Sequence, residues 1–280
     1  MNSNVKIFIK TAGEGPTQDF SWAAHHPSDE SFLSSIEAKN QAFGDNNATT
    51  MFISRGQDSD LLLTLGSLPT GRTEGGGRRI RNSIAIHAPA QEEAQIRGIA
   101  ARYLNAPDAF AQMLDQNVVF DRNNEKFGWS ANFEKIRNSL LECEPGRSEG
   151  PFQSAPKFGR YTTNATTNQL HEQLADELMH SPLPHASQSD VPVLIVRDAS
   201  EKLFEENRVW RGLSDFVKHE GWHGKEVLHD ATEAGAKANN LNGSAKIAVV
   251  SGSVALAVAL GGWLWHVKHR RDTAPENRAR

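Results

Sequence analysis

Asp60-Leu-Leu-Leu-Thr-Leu-Gly-Ser-Leu-Pro-Thr-Gly-Arg-Thr-Glu-Gly-Gly-Gly-Arg-Arg-Ile-Arg-Asn-Ser-Ile-Ala-Ile86 is the stretch on which the reading of this chain turns. It joins two apolar runs through a glycine- and arginine-rich connection. Residues 60–65 and 80–86 read as strands bounded by turn-forming residues. Side chains alternate along a strand, so Ile80, Ile84 and Ile86 share one face and Arg79, Arg81 and His87 share the other.

Working outward, residues 6–10 form a short strand closed by the turn sequence at 13–16. Residues 49–54 form another. A loop or short helix covers 28–47, with Phe32, Ile36 and Phe43 as its buried residues. After Pro89 the apolar period changes from two to three-and-four. Ile96, Ile99, Ala100, Tyr103 and Leu104 form one helical stripe, and Phe110, Met113 and Leu114 a second. Phe133, Ile136, Leu140 and Leu141 mark a third helix, and Leu170, Leu174 and Leu178 a fourth. Residues 191–196 are apolar without alternation, as expected of a strand buried on both faces; Pro192 there fits only the start of pairing or an edge. Helical sequence resumes over 203–217.

The expected fold is an α/β or α+β cytosolic body, β-rich at its N-terminal end and helical with a buried strand thereafter, followed by one C-terminal transmembrane helix. The expected organisation is a β-rich module at 1–90 and a helical α/β part at 91–229 with a loop at 145–166. A stalk at 230–246, a transmembrane helix at 247–267 and a basic tail at 268–280 complete it.

Residues 247–267 contain no Asp, Glu, Lys or Arg, and a bilayer core takes roughly 20 apolar residues as a helix. Trp263 and Trp265 suit the headgroup zone. Ser253, Ala257 and Gly261 repeat small residues at four-residue spacing, which suits close packing of two spans and hence self-association. The first ten residues carry no signal-peptide pattern, so the large N-terminal part is expected in the cytoplasm as a tail-anchored, single-pass arrangement. The tail opposes this orientation with five basic and two acidic side chains, because cationic ends prefer the cytoplasmic side.

Charge narrows the function classes. The 280-residue chain has a formal net charge of −4, and with a cationic tail its body is mildly acidic. Broad nucleic-acid binding is therefore not expected. The single cysteine, Cys143, excludes an internal disulfide. Its neighbours Glu142 and Glu144 disfavour the thiolate, so no nucleophile is expected there. His25 and His26 form an adjacent pair whose side chains diverge if the segment is extended.

Two constellations could carry function. In the first, glycines 71, 75, 76 and 77 permit an anion-cradling backbone, and Arg72, Arg78, Arg79 and Arg81 supply charge for a phosphate. The competing reading is a solvated hairpin loop. Residues 65–72 with 78–82 resemble the Arg/Gly-rich segment in N-terminal modules of GTPase-associated proteins from bacterial conflict operons. That resemblance, over residues 50–90, implies a bacterial defence or signalling component whose module binds a nucleotide or protein partner.

The second is His219-Glu-Gly-Trp-His223. Histidines four apart on a helix can grip one Zn²⁺, leaving Glu220 as general base for a metal-bound water. His229 completes a spacing that resembles, in part, the metzincin relatives of the His-Glu-x-x-His metalloproteases. The chain departs from that family with Glu226 in place of a turn glycine, and with no methionine after Met179. A solvated, partly amphipathic helix is the competing reading.

The leading expectation is a tail-anchored membrane protein with a cytosolic ligand- or partner-binding module, an effector in antiviral defence or signalling that self-associates through its span. It requires no cofactor, and its partners are the lipid bilayer, a second copy, and a nucleotide or protein. The alternative is a membrane-tethered zinc metallopeptidase using His219, His223, His229 and Glu220.

Overall fold

Leu61–Thr73 (β4) and Arg79–Ala88 (β5) form an antiparallel hairpin around which the other strands assemble. The computed structural model describes residues 5–14, 18–43, 48–56, 60–74, 77–147, 160–162, 168–184, 191–196, 199–207, 209–218 and 222. The expected stalk, the span with Ser253, Ala257 and Gly261, and the basic tail lie outside the described residues, as do His219, Glu220, His223 and His229. No helix among the described residues is long and apolar enough to cross a membrane.

Lys6–Thr11 (β1) pairs antiparallel with β5 and carries Ser21–Ala24 (β2) on its outer side. Thr50–Arg55 (β3) pairs antiparallel with β4. Beyond it come Val191–Val196 (β9), Arg211–Leu213 (β10) and Arg160–Thr162 (β8), giving an eight-stranded sheet of order β2-β1-β5-β4-β3-β9-β10-β8. β9 is antiparallel to β3, whereas β8, β9 and β10 run parallel. A separate hairpin joins Val118–Phe120 (β6) to Trp129–Ala131 (β7). The fold is thus mixed α/β with a largely antiparallel sheet. Residue 90 marks a change of element type within one sheet, since strands from both sides of it pair with each other.

Both sheet faces are covered, which explains the nearly unbroken apolar runs. Ile7, Ile9, Ile53, Leu63 and Ile86 enter one core with Ile99, Leu114 and Leu178. Those three come from Glu93–Asn105 (α2), Pro107–Asp115 (α3) and Asn168–His180 (α5). Phe8, Phe52, Leu62 and Ala85, one residue out of step, enter the opposite core with Ile36, Phe43 and Phe204. These belong to Leu33–Phe43 (α1) and Glu201–Glu206 (α6). Each of the larger of these side chains contributes about 1.5–3 kcal/mol on full burial, so the two-sided sheet dominates the drive to fold. Phe133–Leu141 (α4) starts behind Asn132, whose side chain accepts from the Lys135 N–H.

Buried arginines tie the segment at 177–184 to the sheet and to α2. Arg55 on β3 donates to the Pro184 and Leu183 carbonyls at 2.9 and 3.0 Å and pairs with Glu93. Arg97 also faces Glu93 and donates to the Leu178 carbonyl at 2.6 Å. Arg211 pairs with Glu177 of α5.

Two local expectations are corrected. Helix over 203–217 gives way to α6 at Glu201–Glu206 followed by strand β10 at Arg211–Leu213. The reason is tertiary: Gly212 sits so close to the Phe204 ring that an added Cβ would meet it at 3.0 Å, and the segment pairs with β9. The His25 and His26 rings do not diverge but stack, with centroids 4.0 Å apart. The chain bends there, between the end of β2 and the 3-10 turn at Pro27–Phe32. Pro192 faces Ser54 at a register shift, before β10 pairing begins at Leu194, so its missing N–H breaks no regular ladder.

Candidate functional site

A cationic cavity opens where β1, β4 and β5 meet the segment leading into β2. The β4–β5 connection turns at Gly77, whose φ of 81° suits glycine. The turn is closed by Glu74 N–H donating to the Arg78 carbonyl at 3.0 Å and Gly77 N–H donating to the Glu74 carbonyl at 2.8 Å. Arg79, Arg81 and Ser83 then follow at alternate positions of β5, and Lys10 of β1 lies directly opposite Ser83. Together with Arg78 and the facing Phe20, these residues line a cavity of about 370 Å³. Among the described residues Asp19 is the only carboxylate in that lining.

Each cation is held differently. Arg78 pairs with Glu74 at 2.7 Å and Asp19 at 3.4 Å, and its guanidinium lies 5.3 Å from the Phe20 ring centre. The Glu74 hydrogen bond pushes its pKa further up. Lys10 donates to Glu37 at 3.0 Å. Burial alone would raise the Glu37 carboxyl, but hydrogen bonds from Lys10 and Trp22 outweigh it and leave the pKa lowered. Arg81 donates to the Ser67 carbonyl at 2.8 Å. Arg79 is exposed, and among the described residues its side chain forms no ion pair or hydrogen bond.

Ser67 forms part of the same wall. Its φ of 56° is the one positive value at a non-glycine position among the described residues. It sits at the register shift between Leu65 and Leu68, so Gly66 and Ser67 make a bulge in β4. Gly66 is needed there because an added Cβ would meet Thr50 Oγ1 at 2.6 Å. The Ser67 N–H donates to Ser83 Oγ at 3.0 Å, and its carbonyl also accepts from Thr49 at 3.3 Å. A strained residue held from several sides is a feature of ligand clamps.

Of the four arginines expected to bind, the cavity gathers Arg78, Arg79 and Arg81. Arg72 is diverted. It donates to Thr11 Oγ1 at 3.1 Å and to Asn82 Oδ1, and pairs with Asp115 at 3.3 Å. Burial lowers its pKa and Asp115 opposes the shift. The Gly71 N–H is also taken, donating to Asp115 Oδ2 at 2.9 Å. Gly75 and Gly76 lie outside the described residues. Lys10, Phe20, Ser67 and Ser83 were not foreseen as site residues. The Gly66-Ser67-Leu-Pro69 break within an apolar run was the available signal for a bulge, whereas Lys10 and Phe20 reach the site only through strand pairing.

A second, shallow depression of about 700 Å³ lies beside His25, Val119, Ser130 and Glu134. His25 stacks on Phe133 at 5.1 Å and meets Glu134 at 3.2 Å. Burial and then His26 lower its pKa, against the pull of Glu134. Among the described residues no group of three or more His, Cys, Asp or Glu side chains is placed to hold a metal ion. Cys143 is buried.

No protein-family model matches this chain, and a comparison with curated proteins finds no significant match.

Proposed function

We propose that the protein is a tail-anchored membrane protein whose folded body binds a phosphate-bearing ligand in the cavity around Arg78, Arg79 and Arg81, and that it self-associates through residues 247–267. The observation that carries the binding reading is the convergence of Lys10 and three arginines on a cavity whose described residues include one carboxylate. Guanidinium forks match phosphate oxygens in pairs, and Arg79 has its donors uncommitted among the described residues. The bulge at Ser67 supports the same reading, because it aims Arg81 by a direct hydrogen bond to its carbonyl. The charge-free run at 247–267 supports the anchor. The resemblance of residues 50–90 to modules of bacterial conflict operons supports a place in defence or signalling.

Calorimetric titration of the full-length protein in detergent with inorganic pyrophosphate tests the site. Binding should weaken with added salt and disappear when Arg78, Arg79 and Arg81 are replaced together by Gln, while circular dichroism stays unchanged. Equal binding by that variant sinks the reading.

A further inference from the structure

We infer that the ligand of the cationic cavity is a nucleoside phosphate, with its base stacked on Phe20 and its phosphate held by Arg79 and Arg81. This rests on the phosphate reading above and goes further by naming the rest of the molecule. Three observations point to it. The cavity of about 370 Å³ is far larger than a phosphate group needs. A water's share of liquid volume is about 30 Å³, and cavities of about 300–1,000 Å³ accommodate organic ligands of drug size. An organic portion therefore accompanies the anion.

The lining then limits what that portion is. Among the described residues Phe20 is its one apolar side chain, the others being charged or hydroxyl-bearing. An acyl chain finds no apolar trough among them. A flat polar ring does find a partner, because Phe20 is half-exposed and already presents its face to the Arg78 guanidinium at 5.3 Å. A base can enter that stack against the phenyl ring, and an arginine plane serves aromatic rings equally well. Finally, the cations are spread along the wall. Arg79 and Arg81 are two positions apart on one face of β5, with Ser83 continuing the same line to Lys10. This row suits a phosphate at one end and sugar hydroxyls beside Ser83 and Ser67. Asp19 stands next to Phe20 in the sequence and serves as an acceptor for an exocyclic amine or ribose hydroxyl.

The test compares ligands of equal phosphate charge. Full-length protein in detergent is titrated with a nucleoside 5′-monophosphate, ribose 5-phosphate and glycerol 3-phosphate, the last standing in for a lipid headgroup. The nucleotide should bind about tenfold more tightly than ribose 5-phosphate, the gain expected of one base–aromatic stack. Phe20→Leu should remove that difference and leave ribose 5-phosphate binding unchanged. Arg79→Ala should weaken all three ligands alike. Equal binding of nucleotide and ribose 5-phosphate, or of nucleotide and glycerol 3-phosphate, overturns the base assignment while leaving the phosphate reading intact. Failure of every ligand to bind overturns both. Saturation-transfer NMR on the base protons gives an independent readout in the unaltered protein, and absence of transfer overturns the stack.

Discussion

Arg81 of β5 donates to the carbonyl of Ser67 at 2.8 Å across the β4–β5 hairpin, and Ser67 holds a left-handed backbone to receive it. The relationship joins a strained bulge to the cation beside it. Ser67→Gly should leave stability within about 1 kcal/mol, since relief of strain offsets the extra entropy of an unfolded glycine. Ser67→Val should destabilise by about 1–3 kcal/mol, because a β-branched residue resists this φ. Urea denaturation distinguishes the two, and a Val variant as stable as the parent removes the strain argument.

Arg72 and Arg79 should separate fold from binding. Arg72→Ala removes the cation from Asp115, which keeps the Gly71 N–H, and a donor from the buried Asn82, and should cost about 2–3 kcal/mol in thermal or urea unfolding. At temperatures where it stays folded, its ligand affinity should equal that of the parent. Arg79→Ala should show the reverse pattern, with stability within about 0.5 kcal/mol as for surface substitutions away from structural contacts.

Glu93 serves both Arg55 and Arg97 and accepts the Leu183 N–H at 2.7 Å. Both arginines are almost completely buried. Glu93→Ala leaves them without their carboxylate and should cost about 3–5 kcal/mol by urea denaturation. Leu183 amide exchange should also rise towards that of an unprotected loop.

Acidification should destabilise the fold around pH 6.5. His25, His87 and His171 all have lowered pKa values, each mainly through burial. The unfolded chain therefore takes up these protons first. The stabilisation is fully present above about pH 6.5, the ordinary histidine value, and is lost as pH falls towards the folded-state values. The urea midpoint should decline from pH 7.5 to 5.5, and His87→Gln should flatten part of that decline. A midpoint independent of pH over this interval contradicts the burial argument.

The proposed anchor has its own test. Removal of residues 246–280 should move the protein from the membrane to the soluble fraction on centrifugation. Leucine at both Ala257 and Gly261 should keep it in the membrane but reduce cross-linked dimer, because the bulkier stripe holds helix backbones apart. Unchanged dimer yield rejects that packing face.

What the sequence determined by itself follows from local physics. Apolar runs at 61–65 and 84–86 had to form strands covered on both sides, because burying them is the largest favourable contribution available. Alternation along β5 puts Arg79 and Arg81 on one face whatever their contacts. Helices α2, α3, α4 and α5 were legible from their apolar stripes, whereas three-residue strands such as β10 carry too little pattern to distinguish from helix. Tertiary structure decided the rest. Register brought Lys10 opposite Ser83, and the packing of β2 brought Phe20 to the same cavity. Asp115, more than forty residues along the chain, withdrew Arg72 from its neighbours. A bend stacked His25 on His26 where an extended chain would part them. These outcomes depend on which distant residues the folded chain brings side by side, and linear spacing holds no record of that.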